Sequence, residues 1–246
     1  MGAACSGEPM PLGQVKIFYT KGFQSRGLIM AAILEVGGVD YEQVDINVED
    51  FFAPGGKEKL SIWGFMPEMQ LPDGTRFAEI CAMCELLANY YPKLKGATAA
   101  DNGISMMLGS RMNDFYSMIS TGPLGPGIAM NMTRGMWEDP KQFPDLLKAY
   151  ETRMETATPI IKKFEDLCLP AGKFTSTGTT WGEIFVWAFL YQFRYAKLSC
   201  CTPMPPKLAK FMDEMEKLDG VKAAIAGTTN FGEQGPHLID AMQFKK

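Results

Sequence analysis

Strand-type patterning is confined to the first 92 of the 246 residues, and everything after reads as helix. Val15-Lys16-Ile17-Phe18-Tyr19 and Tyr41-Glu42-Gln43-Val44-Asp45-Ile46 are rich in β-branched and aromatic residues, which suit a pleated, half-buried surface. Between them Leu28, Ile29, Ala32, Ile33 and Val36 recur at helical spacing, and Gly37-Gly38 closes that helix. A β-α-β order joins a parallel pair through a right-handed crossover. Residues 51–61 read as an irregular or helical connection around Pro54-Gly55-Gly56. Residues 64–79 then read as loop, Pro67, short strand, a Pro72-Asp73-Gly74 turn and a second short strand, leading into a helix up to Tyr91. The prediction is a mixed four-strand sheet with helices.

A linker, residues 93–103, follows. Ile104 to Ser120 is helical and rich in methionine, and residues 121–139 carry enough Gly and Pro to be a loop. From Pro140 to about Cys168 the positions Leu147, Tyr150, Met154, Ala157, Ile161, Phe164 and Cys168 form an apolar helix stripe, with Pro159 placed to kink it. Thr180-Trp181-Gly182-Glu183 is a capping box opening a helix apolar on every side, hence one buried on every side. Two helices close the chain, Lys207 to Leu218 and Gly220 to Ala226. The division is therefore a leader (1–13), an α+β domain (14–92), the linker, and an all-α domain (104–246).

Composition narrows the function. The net charge is −4 and no Lys/Arg block forms a stripe, so nucleic acid is not an expected partner. No apolar run reaches the roughly 18 residues of a membrane span, and the first residues lack the basic start and apolar core of a secretory signal. Six cysteines without such a signal read as reduced thiols of a cytoplasmic protein. The single histidine, His237, leaves no multi-histidine zinc site, and no metal is expected. Met1-Gly2-Ala3-Ala4-Cys5-Ser6 fits the N-myristoylation pattern with Gly2 as acceptor. One myristoyl chain binds membranes only marginally, and palmitoylation of Cys5 would add the second signal, tethering the protein to the cytosolic face of a membrane. A plain leader rich in Gly, Pro and Ala is the other reading.

In a thioredoxin-like fold a proline placed like Pro67, just before such a hairpin, is usually cis, and the backbone of the residue before it grips an extended peptide ligand. A thioredoxin-like domain followed by an all-helical one, at this length, resembles the cytosolic glutathione S-transferases. Tyr19 at the end of the first strand, the Gly64–Pro67 turn, Glu79 opening the third helix and the Thr180 capping box carry the resemblance. The closing Leu218–Ile225 stretch is similar as well. Tyr19 followed by Arg26 is most similar to the sigma-like, tyrosine-type branch.

The resemblance implies glutathione as co-substrate, a small hydrophobic electrophile as second substrate, and a homodimer. It makes Tyr19 the catalytic residue, its hydroxyl donating a hydrogen bond to the glutathione sulfur so that the thiolate is favoured. Arg26 would orient that tyrosine or support the backbone near it, or else be a helix-surface arginine. Met66, before Pro67, would exchange backbone hydrogen bonds with the cysteinyl part of glutathione. Glu79 and the Ile80 amide stand at a helix N-terminus that suits a carboxylate. Two departures weaken the match. Ile80 stands where the family carries serine, and Phe65 where many members carry Gln or Lys. Lys59, Lys57 or Trp63 could compensate, Lys59 being preferred. Asp114 is placed to reach a partner subunit's glutathione. Met106, Met107, Met112, Phe115 and Tyr116 are candidate walls of the electrophile pocket, or simply core.

Other signals have blander readings. Cys81-Ala82-Met83-Cys84 is a C-x-x-C inside the third helix rather than after the first strand, so it reads as core. Cys200-Cys201 reads as two free thiols. Two functions stay open: an enzyme catalysing conjugation, isomerisation or peroxide reduction with glutathione, and a non-catalytic glutathione-transferase-like binding or scaffold protein, membrane-tethered or part of an assembly.

Overall fold

The parallel pair expected of the first two strands is present in the computed structural model, which describes residues 12–20, 25–120, 144–195 and 198–231. Strand β1 (Val15–Tyr19) runs beside β2 (Tyr41–Asp45), with Val15 opposite Tyr41 and Tyr19 opposite Asp45. Strand β3 (Glu68–Gln70) lies antiparallel on the other side of β1, and β4 (Arg76–Phe77) completes the sheet in the order β2-β1-β3-β4. Asp73 accepts from the Thr75 amide in the turn between β3 and β4, the local bond that makes aspartate a turn residue.

One face of the sheet presents Val15, Ile17, Tyr19 and Met69, all buried. The alternation of strand side chains puts them on one side. Against them pack α1 (Arg26–Gly37) and α4 (Ile80–Tyr90). Every side chain from Leu28 to Leu34 is fully enclosed, because α1 also packs against two helices of the C-terminal half. Gly38 ends α1 in the left-handed conformation that a glycine adopts freely. The connection read as irregular or helical contains two one-turn helices, α2 (Val48–Phe52) and α3 (Gly56–Leu60), the first capped by Asn47.

The C-terminal half consists, among the described residues, of helices α5 (Ala99–Ser120), α6 (Pro144–Leu167), α7 (Trp181–Tyr195), α8 (Pro206–Met215) and α9 (Asp219–Ala226), with a short 3-10 turn at Ser199–Cys201. Helix α5 begins five residues earlier than its apolar spacing predicts. Thr98 caps it, its Oγ1 accepting from the Asp101 amide, and Asp101 in turn receives the Ser176 amide and hydroxyl. The predicted capping box at Thr180 is present. Oε2 of Glu183 accepts from the Thr180 amide, while Oε1 accepts from the amides of Phe174 and Thr175. Pro159 is accommodated inside α6. The leader, with Gly2 and Cys5, and the expected 121–139 loop lie outside the described residues.

Helix α7 is the axis of this half. Trp181, Ile184, Phe185, Val186, Trp187, Ala188, Phe189 and Leu190 are buried. It crosses α5 so closely that a Cβ at Gly182 would stand 2.0 Å from the Ser105 carbonyl oxygen, and one at Gly109 would stand 2.1 Å from the Trp181 ring. The Trp181 indole N–H donates to Glu85 on α4, joining the two halves.

Candidate active site

Three elements reach the same end of the sheet. β1 ends there at Tyr19, β2 ends beside it at Asp45, and β4 leads there into α4. The pairing of Phe18 with Glu68 carries the antiparallel register on to Tyr19 and Pro67 as neighbours. The Met66–Pro67 bond is cis, as the sequence led us to expect. Met66 is half-buried and Pro67 buried.

The segment before Pro67 is held by a residue that the sequence reading passed over. Glu68 is fully enclosed. Its Oε1 accepts from the Ser61 hydroxyl at 2.7 Å and the Ile62 amide at 2.5 Å, and its Oε2 accepts from Arg76 at 2.5 Å. Ser61 Oγ also accepts from the Phe65 amide at 3.0 Å and lies 2.9 Å from the Phe65 carbonyl oxygen. This closed loop turns Trp63 and Phe65 outward, 67% and 68% exposed. A carboxylate directly after a proline and on the inner side of a hairpin was the available signal.

Tyr19 is 5% exposed. Burial, with the neighbouring Tyr116, pushes its phenol well above the ordinary range, while Arg26, the Gly27 amide and the Ser25 hydroxyl act in the opposite sense. The phenol therefore stays protonated at neutral pH and is a hydrogen-bond donor. Arg26 is directed inward: its guanidinium donates to Asn113 Oδ1 at 3.1 Å and lies 5.4 Å from the Tyr116 ring centroid. Behind Tyr19 stands Phe231, fully buried, with ring centroids 6.5 Å apart and a second contact to Tyr41 at 5.8 Å.

Sequence reasoning also missed Ser25 and Gln192. Ser25 opens α1 with φ 58° and ψ −121°, a region that favours glycine. Gln192 accepts from its amide at 2.9 Å and donates to its carbonyl at 3.1 Å. The usable signal was a carboxamide within the otherwise apolar Ile184–Phe193 run.

The remaining candidates separate by location. Glu79 precedes α4 with φ 68°, exposed, and Ile80 after it is buried. Lys59 is exposed and lines an open cleft of about 500 Å³ shared with Asp45, Asn47, Asp50 and Gly55, at the end of β2. Asp114 is exposed on α5, next to Asn113. Met106 and Met107 are also exposed, 37% and 47%. Of the two readings open for Met112, Phe115 and Tyr116, pocket wall or core, their burial matches the core. Met112 is wholly enclosed, Phe115 packs edge-on against Phe193, and Tyr116 stacks on Phe189 at 4.3 Å. They face α7, which takes that side of α5 into the core.

Cys84 is buried within α4 and Cys81 half-buried beside it, both free thiols. Burial pushes Cys81 up to about 11, and Cys84 upward as well. Cys200 and Cys201 are free thiols with sulfurs 3.7 Å apart. Among the described residues no three His, Cys, Asp or Glu side chains gather as metal ligands, and no helix is long and apolar enough to cross a membrane.

No protein-family profile matches the sequence, and no curated protein matches it. Solved structures do. A glutathione S-transferase from Ascaris lumbricoides is 22% identical with a TM-score of 0.64, over 87% of this chain and 96% of that one. A prostaglandin synthase D from Nilaparvata lugens is 20% identical with a TM-score of 0.65, over 85% and 96%. A sphingomonad glutathione S-transferase complexed with glutathione is 15% identical with a TM-score of 0.62, over 85% and 96%. The fold is that of the glutathione S-transferases, a thioredoxin-like sheet domain followed by a helical one.

Proposed function

We propose that the protein is a glutathione transferase in which the Tyr19 hydroxyl stabilises the glutathione thiolate for attack on a hydrophobic electrophile. The observation that carries this reading is the convergence of the buried Tyr19, the Met66–Pro67 turn and the start of α4 at one end of the sheet. A free thiol of pKa about 8.5 is mostly protonated at neutral pH. A hydrogen bond donated to sulfur favours the anion. The thiolate sulfur then forms a bond to the electrophilic carbon, and a leaving group departs or a proton is taken up. Isomerisation and peroxide reduction start from the same thiolate.

Met66 offers backbone bonds to the cysteinyl part of glutathione, and Glu79 with the Ile80 amide receives its charged γ-glutamyl end. Lys59 and Trp63 serve the glycyl end. Met106 and Met107 are the members of the methionine set left to face an electrophile. Replacing serine by Ile80 and a polar residue by Phe65 each removes a hydrogen bond worth about 1–3 kcal/mol, a loss that Lys59 and Trp63 offset enough for retention. A homodimer places Asp114 toward the partner's glutathione. Gly2 and Cys5 are proposed lipidation sites that tether a cytoplasmic protein to a membrane. Mass spectrometry of the N-terminal peptide from a eukaryotic host, with Gly2→Ala as control, tests this, and a free or acetylated Gly2 rejects it.

The competing reading, a non-catalytic scaffold of the same fold, is favoured by the near-complete enclosure of Tyr19 and by the apolar Ile80 and Phe65. Retention on glutathione-agarose, followed by chlorodinitrobenzene conjugation by wild type and Tyr19→Phe, separates the two. The enzyme reading expects retention and a loss of about a hundredfold or more in kcat for Tyr19→Phe, the scale of a lost transition-state donor. A wild type that is neither retained nor active leaves the scaffold.

A further inference from the structure

Beyond α9 the chain returns to the sheet and meets its first two strands. Asn230 donates through Nδ2 to the Tyr41 carbonyl at 3.0 Å and through its backbone amide to the Tyr41 phenol oxygen at 3.3 Å. Tyr41 opens β2, which stands at one edge of the sheet. Covering an edge with a loop is one of the ways natural sheets protect it. The Tyr41 hydroxyl in turn donates to Glu35 Oε1 on α1 at 2.8 Å. β2 and the residue after it also hold the Tyr19 backbone, because the Tyr19 carbonyl accepts from the Ile46 amide and from Gln43 Nε2, each at 3.2 Å. Next to Asn230, Phe231 is fully buried. Its ring stands 6.5 Å from that of Tyr19 at an interplanar angle of 55°, and 5.8 Å from that of Tyr41. Tilted aromatic pairs attract at such separations.

We propose that Phe231 and Asn230 are positioning residues for Tyr19, Phe231 acting on its ring and Asn230 on its backbone through β2. The inference rests on the reading of Tyr19 as the donor to the thiol. Tyr19 is the last residue of β1, and strand pairing fixes its backbone without fixing its ring. The side-chain torsions have several staggered positions, and the packing around the ring selects among them. Phe231 is one face of that packing. A hydroxyl aimed at a sulfur depends on the selection, since a misplacement of about 1 Å costs about a hundredfold in rate. Phe231 has no exposed surface, so it does not reach a bound tripeptide itself, and its effect on the reaction runs through Tyr19. Asn230 supports the same phenol from the other direction. It fastens the edge strand whose Gln43 and Ile46 hold the Tyr19 carbonyl.

The test is a double-mutant cycle in the full chain, with Phe231→Ala on wild type and on Tyr19→Phe. The readouts are kcat and KM for glutathione in chlorodinitrobenzene conjugation, taken separately, and the pKa of bound glutathione titrated by thiolate absorbance. Phe231→Ala leaves a cavity against the Tyr19 ring. It is expected to lower kcat by about tenfold or more and to raise the thiol pKa by about one, at unchanged KM. Phe231→Leu refills much of that cavity and should recover most of the loss. Asn230→Ala should act in the same direction by a smaller factor. On Tyr19→Phe, Phe231→Ala should cost nothing further, the non-additivity of residues that act as a unit. Gly182→Ala, whose strain falls on the Ser105 backbone, reports what lost stability does alone and should leave the thiol pKa in place. If Phe231→Ala lowers kcat as much without the Tyr19 hydroxyl as with it, or moves the thiol pKa no more than Gly182→Ala does, the positioning role is wrong and that of Tyr19 stands. Should Phe231→Ala not fold, Asn230→Ala takes its place in the cycle and the same outcome overturns the proposal. If Tyr19→Phe changes neither kcat nor the thiol pKa, or wild type binds no glutathione, the reading beneath it fails and the proposal falls with it.

Discussion

The Glu68 carboxylate is completely enclosed and takes the Arg76 guanidinium at 2.5 Å across the β3–β4 hairpin. Its other oxygen binds Ser61 and Ile62, so one side chain ties the residue after Pro67 to the segment before it. Arg76 also lies 4.4 Å from the Phe18 ring centroid. The ion pair is therefore a fastener of the Met66–Pro67 turn.

Removing one partner of such a pair leaves the other uncompensated. Glu68→Ala is expected to cost about 3 kcal/mol and to release the 61–65 segment. Denaturant unfolding gives the first number. Faster tryptic cleavage at Lys57 and Lys59 in the folded protein reports the second. An unchanged midpoint and an unchanged digest would show that the segment is held by something else.

The α5–α7 crossing leaves no room for a side chain at Gly182. The nearest obstacle is the Ser105 backbone, with its carbonyl oxygen 2.0 Å and its carbonyl carbon 2.6 Å from an added Cβ. Backbone on a buried helix does not step aside as a flexible side chain would. Gly182→Ala should destabilise the protein by about 1–3 kcal/mol, the cost of overpacking. Gly103→Ala on the open side of α5, where nothing stands within 4 Å, should be neutral or better, because alanine favours helix. A thermal-shift comparison of the two variants decides it.

Local patterning carried the fold further than the site. The strand runs, the helical spacing of Leu28 to Val36, the Pro72-Asp73-Gly74 turn and the Thr180 capping box are short-range signals, and each appears in the structure at or near its predicted place. The start of α5 was missed because Thr98 and Asp101 are hidden in an Ala- and Gly-rich stretch. Pocket wall and core both stayed open for Met112 and Phe115 because an apolar helix face reads alike whether it lines a pocket or meets another helix. Only the position of α7 decides that. Ser25 and Gln192 stand 167 residues apart, and no local pattern links a serine at a helix start to a carboxamide in a distant apolar helix.

Cys81 and Cys84 form a C-x-x-C spacing without the electropositive setting of a reactive pair. Burial is the leading cause for both, with Cys81 at about 11. At pH 8 the thiolate fraction of Cys81 is about a hundredfold below that of an ordinary cysteine. Iodoacetamide labelling of the native protein at pH 8, read by peptide mass spectrometry, should therefore be slower at Cys81 than in the urea-unfolded chain by about that factor. Cys84, which unlike the half-buried Cys81 is enclosed, should be slower still. Rapid native labelling of Cys81 would mean an activated thiol and a different role for the helix.

Tyr19 and Tyr41 both have phenols raised well above the ordinary tyrosine value, chiefly by burial, and Tyr41 further by Glu35. An acid whose folded pKa is raised keeps its proton in the native state after the unfolded chain has released it. Its contribution is complete below the unfolded value of about 10 and is lost as the pH climbs from there toward the folded value. For the enclosed Tyr19 alone the loss is about 1.4 kcal/mol for each pH unit above 10. Urea midpoints measured from pH 8 to 11 should hold nearly level until the cysteines and tyrosines of the unfolded chain begin to ionise, and then fall. Tyr19→Phe removes one proton from that balance and should make the decline above pH 10 shallower, whatever it does to catalysis. An identical slope in the two proteins would mean that Tyr19 ionises in the native state as readily as in the unfolded one, and the enclosure seen around its oxygen would not survive in solution.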